Sequence, residues 1–131
     1  MADMGLAKGS MGKGQNIAKI IGILFMSRTY AHMAHLKTGS YAKHKALNKF
    51  YDDVVDVADD LAEAAQGMWG KLDIPFEGLD GDVLDPIGTL TMHLKRIEQT
   101  MVGCKEEYIG NILQEVQALY RKTLYLMKEL D

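Results

Sequence analysis

Apolar residues recur every three or four positions along four stretches of the chain, and each stretch predicts an amphipathic α-helix. The first runs from about Asn16 to Leu36, with Ile17, Ile20, Ile21, Leu24, Arg28, Ala31 and His35 on one face. Ile23, Phe25, Met26, Tyr30 and Met33 fall on its other faces, so this helix is apolar nearly all round. Such a helix is buried on more than one side, which in a small chain points to an oligomer. The second runs from about Tyr41 to Gln66, with the seam Leu47, Phe50, Val54, Val57, Leu61, Ala64 and Met68. Gly39 closes the first helix, Ser40 can cap the second, and Gly67 and Gly70 are expected to end it. The third starts at Asp85-Pro86, an N-cap followed by proline at the first helical position, and continues through Ile87, Leu90, Leu94, Ile97 and Met101. Gly103 breaks the pattern. The fourth, from about Lys105 to Leu130, carries Ile109, Ile112, Val116, Leu119, Thr123, Leu124, Met127 and Leu130.

The turns between helices one and two, and between three and four, are short. Residues 67–85, "GMWGKLDIPFEGLDGDVLD", make a connection that is long by ordinary loop statistics. It can run the length of the bundle and start the third helix from the far end. The expected fold is therefore all-α, a ferritin-like four-helix bundle with one long crossover between helices two and three. Residues 1–15, with Gly5, Gly9, Gly12 and Gly14, read as a Gly-rich N-terminal arm, disordered alone, ahead of a bundle domain over 16–131.

Composition narrows the classes. At 131 residues the chain can bury a core of its own. Its net charge of −3 is not that of a nucleic-acid binder, and only Lys8 and Lys13 of the arm offer a weak, salt-sensitive contact to DNA or a partner. The one cysteine, Cys104, makes no internal disulfide and fits a reducing compartment. The apolar run Ile20–Met26 is too short to span a bilayer, so no membrane is expected. No phosphate-loop, dinucleotide, zinc-protease or nucleophile-elbow motif occurs.

The candidate chemistry lies in "HMAHLKTGSYAKH", which holds three of the four histidines: His32, His35 and His44. His44 and Asn48 stand one helical turn apart, as do Asp59 and Glu63 further along the same helix, so each pair shares a face. About 16 Å of helix separates Asn48 from Asp59, and no single ion can join both pairs within one chain. Two copies packed antiparallel about a twofold axis would bring His44 of one against Asp59 and Glu63 of the other. Imidazole with carboxylate suits iron, with zinc or manganese as alternatives. His35 shares a face with Ile17 and Leu24 and reads equally as a core histidine. His93 is assigned no role. The remaining acids of helix two, Asp52, Asp53, Asp56 and Asp60, read as a solvated face.

The stretch "AHMAHLKTGSYAKHKALNKFYDDVVDVADDLAE", Ala31 to Glu63, resembles the signature of the Dps mini-ferritins, an "HW…G…F…H…D" segment followed by "D…AE". It is also similar to small ferritin-like proteins encoded by tailed phages. The resemblance implies a metal site across a dimer interface, with His32 or His35, His44 and Asn48 from one subunit and Asp59 with Glu63 from its mate. Asn48 stands where that family has an aspartate, and no tryptophan follows either histidine.

Two functions follow as expectations. One is a mini-ferritin-like, homo-oligomeric iron-binding protein, a candidate ferroxidase acting on Fe(II) between subunits. The other is a structural or assembly protein of a phage particle that keeps the fold without an active metal site. The polar, Gly-rich start lacks the look of a secretory signal, so host cytoplasm or virion is the expected location.

Overall fold

The computed structural model describes residues 4–101 and 103–130, with the backbone alone for 4–11 and 13. Four helices form: α1 over Met4–Lys37, α2 over Tyr41–Trp69, α3 over Pro86–Thr100 and α4 over Glu107–Glu129. No strand occurs among the described residues.

Two of the sequence-derived caps appear as expected. The Ser40 hydroxyl accepts from the Lys43 amide at 3.1 Å and starts α2. The Asp85 carboxylate accepts from the Gly88 amide at 3.0 Å, with Pro86 supplying the preset φ of the first helical turn. Two boundaries differ from expectation. The helix expected from about Asn16 reaches back to Met4. Nucleation is the costly step of helix formation, and the buried stretch after Asn16 supplies the nucleus onto which the preceding turns propagate. Gly67, expected to end the second helix, sits inside α2. One interior glycine costs only about 1 kcal/mol against alanine, and the helix carries on to Trp69. Gly70, at φ +88°, ends it, its amide donating to the Gln66 carbonyl.

α1 packs against α2 and α3, and α4 packs against the same two helices, so α1 faces α4 and α2 faces α3 across the bundle diagonals. The core between them includes Ile17, Ile20, Ile21, Leu24, Leu47, Phe50, Leu61, Leu90, Ile97, Val116 and Tyr120, all essentially inaccessible to solvent. Phe50 of α2 and Tyr120 of α4 meet edge to face, with ring centroids 4.9 Å apart.

The connection 70–85 lies along α1. Leu72 and Trp69 lie beside Gly14, and Pro75 and Glu77 lie beside Gly22. At the far end the Tyr30 hydroxyl donates to the Asp82 carbonyl. A Cβ at Gly22 would stand 2.7 Å from the Pro75 carbonyl oxygen, so the missing side chain is what lets the connection approach. α3 then returns from the level of Tyr30 towards that of Gly22: His93 reaches Ser27, and Arg96 reaches Glu77.

Candidate functional site

The three-residue turn 38–40 folds α2 back onto α1 and brings the histidines of the sequence motif together. His35 is buried, whereas His32 and His44 are exposed. The His35 and His44 rings stack at 3.9 Å between centroids. Each Nδ1 lies 3.1 Å from the other residue's backbone carbonyl. A carbonyl oxygen only accepts, so both Nδ1 atoms carry a proton, and the tautomer this geometry selects has its lone pair on Nε2. The His35 carbonyl belongs to the last turn of α1 and has no partner inside the helix, so His44 also caps α1.

His32 stacks on Tyr51 of α2 at 4.2 Å, with its centroid 6.0 Å from that of His35. The Tyr51 hydroxyl donates to Asn48 Oδ1 at 2.8 Å, and Asn48 Nδ2 lies 3.5 Å from an Asp52 carboxylate oxygen. So His32, His35, His44 and Asn48 share one corner, tied by Tyr51. Tyr41 stands apart from it, exposed, with the Lys45 ammonium over its ring.

Asp59 and Glu63 are not part of that corner. They lie three turns further along α2, exposed, and their side chains enter no hydrogen bond or ion pair with a described residue. Glu63 borders an open groove between α2 and α4 with Asp60, Tyr108 and Glu115. Among the described residues no three His, Cys, Asp or Glu side chains come together as a metal site. The side chains of Lys8 and Lys13 lie outside the described residues.

His93, given no role from sequence, is fully buried at the centre of the bundle. The Tyr120 hydroxyl donates to Ser27 Oγ at 2.6 Å, and Ser27 Oγ lies 2.8 Å from His93 Nδ1. His93 Nε2 lies 2.7 Å from the Asp80 carbonyl in the connection. The carbonyl requires a proton on Nε2. Nδ1 then accepts from Ser27, and every donor in the chain of bonds has an acceptor. Burial holds the His93 imidazole below its ordinary value, against the opposing pull of Asp80, while Arg96 adds to the lowering. Burial also raises the Tyr30 and Tyr120 hydroxyls above the usual phenol range. The legible signal was spacing: His93 stands three residues after Leu90 and four before Ile97, on the buried face.

Fold and site together define an all-helical chain built around a histidine corner and a buried histidine. The chain belongs to a family of unknown function, DUF5856, which it matches over residues 35–127, a span that includes the corner from His35 onward and both acidic positions. It is similar to the "Uncharacterized 14.6 kDa protein in mobD-ri intergenic region" of Enterobacteria phage T4, at 27% identity over 118 residues, covering 88% of this chain and 91% of that protein. That likeness marks the chain as phage-related. No solved structure matches it. No helix among the described residues is long and apolar enough to cross a membrane.

Proposed function

We propose that the chain is a subunit of a ferritin-like homo-oligomer that binds iron between two antiparallel copies. His44 with His32 or His35 comes from one copy, and Asp59 with Glu63 from the other; Asn48, engaged by Tyr51, is at most a weak ligand. The observation that carries this reading is the reciprocal Nδ1 bonding of His35 and His44, which leaves Nε2 of both rings as donors. Backbone carbonyls orient ligating histidines in this way. The unpaired carboxylates of Asp59 and Glu63 supply the complementary half, so the donors of one chain fit half of a site. The diagonal placing of α2 and α3, with the long connection along α1, supports the ferritin-like topology with its crossover. Iron is cargo here; oxidation of Fe(II) would draw on the metal and oxygen, and the protein supplies position.

The test is Fe(II) binding and oxidation by wild type, His44→Ala and Glu63→Ala. Each variant alone is expected to lose at least tenfold in affinity, by the measure of even indirect ligand-shell changes. Co-assembled, the two variants are expected to regain part of the sites, because one interface in the mixed oligomer pairs an intact half with an intact half. Equal, background oxidation in all samples would end the reading.

A second reading has its own observation. The His35 and His44 rings already serve to close α1 on α2, and Asn48 is held by Tyr51. On that reading the chain is a structural or assembly component of a phage particle, with residues 1–15 as an arm onto a neighbour, and Lys8 and Lys13 in contact with that neighbour or with DNA. Deleting residues 1–15 separates the two: an assembly arm predicts loss of the oligomer, an iron-binding cage predicts that oligomer and iron uptake persist.

A further inference from the structure

The connection 70–85 is held by few bonds. Ile74, Phe76, Leu79 and Leu84 point to solvent, Phe76 almost completely. The hold is concentrated at residues 80–82. His93 Nε2 donates to the Asp80 carbonyl, Tyr30 donates to the Asp82 carbonyl, and the Asp82 amide donates to Thr89 Oγ1 at 3.0 Å. Arg96 adds a bridge to Glu77 at 2.9 Å and a looser one to Asp80 at 3.4 Å. Of these anchors only His93 changes charge near neutral pH.

We propose that the connection 70–85 is a strap whose docking along α1 is governed by one proton on His93: docked while the imidazole is neutral, released when it is charged. The geometry gives the reason. Nε2 already holds a proton for the Asp80 carbonyl, so a second proton must go to Nδ1. Nδ1 faces Ser27 Oγ, which donates to it while receiving the Tyr120 proton. A proton on Nδ1 sets donor against donor, and the Ser27 hydroxyl must turn away. The new charge would also sit in a core lined by Tyr30 and Ser27 of α1, Tyr120 of α4 and Phe50 behind it on α2. Neither tyrosine ionises in this range to offset it, since burial raises both. Arg96 of α3 opposes a second cation, and the carboxylates of Asp80 and Glu77 are already turned to Arg96. The Asp82 carbonyl accepts from Tyr30, from Thr89 Oγ1 and from the Asp85 amide, and its carboxylate caps the Leu84 amide, so neither is turned to His93. The imidazolium gains water only by leaving the core, and it then lets go of the Asp80 carbonyl. Release bares the surface of α1 at Gly14 and Gly22, against which the strap lies.

The sign follows from linkage. The docked form holds His93 below its ordinary value of 6.5, and the released form returns it there. As pH falls below 6.5 the released form binds more protons, and the opening constant rises by up to about tenfold per pH unit. Docking is fully present above that pH.

The test is hydrogen exchange of the full chain at pH 7.5 and 5.5, corrected for the intrinsic exchange rate. Amides within 70–85 are expected to lose up to about tenfold in protection over the last pH unit through a local opening, and at both pH values to stay less protected than the core amides of α2 and α4, which exchange only on unfolding of the bundle. In His93→Gln, whose side-chain amide can still donate to the Asp80 carbonyl but gains no proton, strap protection is expected to be independent of pH. A titration of wild type by NMR needs no variant: strap amide shifts should follow the His93 imidazole with one midpoint. Protection of the strap unchanged with pH, an equal loss in His93→Gln, strap shifts that do not track His93, or strap amides as well protected as the core of α2 and α4 would each overturn the proposal.

Discussion

Phe50→Ala is expected to lower the unfolding free energy by about 3–5 kcal/mol. Phe50 has no solvent exposure and stands edge to face with Tyr120. Removing the ring deletes the apolar area it buries and leaves a void between α2 and α4. Neighbouring side chains such as Leu47 and Val54 are fixed on the rigid frame of α2 and can only partly refill it. Edge-to-face contact adds about 0.5–1.5 kcal/mol beyond area, and that share is also lost. Urea unfolding followed by far-ultraviolet circular dichroism measures the change. A loss below about 1 kcal/mol would mean that α2 and α4 are not packed through this pair.

His93→Leu is expected to cost about 2–4 kcal/mol, though leucine is close in size and more apolar. The Asp80 carbonyl loses its buried donor and the Ser27 hydroxyl loses its acceptor, and an unmet buried polar group costs about 1–3 kcal/mol. The change should also flatten part of the pH dependence. Wild type loses stability as pH falls below 6.5, because the unfolded chain takes up a proton that the buried imidazole refuses. Denaturant midpoints at pH 7.5 and 5.5 check both statements. A variant as stable as wild type at pH 7.5 would show that the buried network contributes nothing.

Much of the fold is legible because its punctuation is local. Ser40 and Asp85-Pro86 act on amides three residues away, and a reader of the sequence sees both partners. The histidine corner is legible for a similar reason: a three-residue turn leaves two antiparallel helices no choice but to face each other. The extent of α1 and α2 was less legible. A glycine weighs against a helix by a fixed small amount, whereas the packing that outweighs it depends on distant residues. His93 was missed because a lone imidazole beside a seam looks like surface. Its partners, Ser27 and Tyr120, lie 66 and 27 positions away and meet it only once three helices have assembled. The second half of the candidate metal site is legible as a pattern, Asp59 and Glu63 one turn apart, yet one chain cannot bring it to the histidines. The rise of α2 fixes that distance, so within one chain the two pairs stay about three turns apart.

The strap is gripped through peptide groups. His93 and Tyr30 take hold of the carbonyls of residues 80 and 82, and Thr89 takes the amide of residue 82. Every non-proline residue carries those same atoms. The information that recognises the strap is therefore written on the helices, and the segment's own side chains are largely released from that duty. Its sequence is free to drift across relatives of this chain, except that position 82 excludes proline and Gly81, at φ +132° with Thr89 where a Cβ would stand, excludes any side chain, while Tyr30, Thr89 and His93 carry the rest of the constraint. For the same reason the outward positions around Phe76 can accept foreign residues, such as a short affinity tag, with the bundle beneath left as it is.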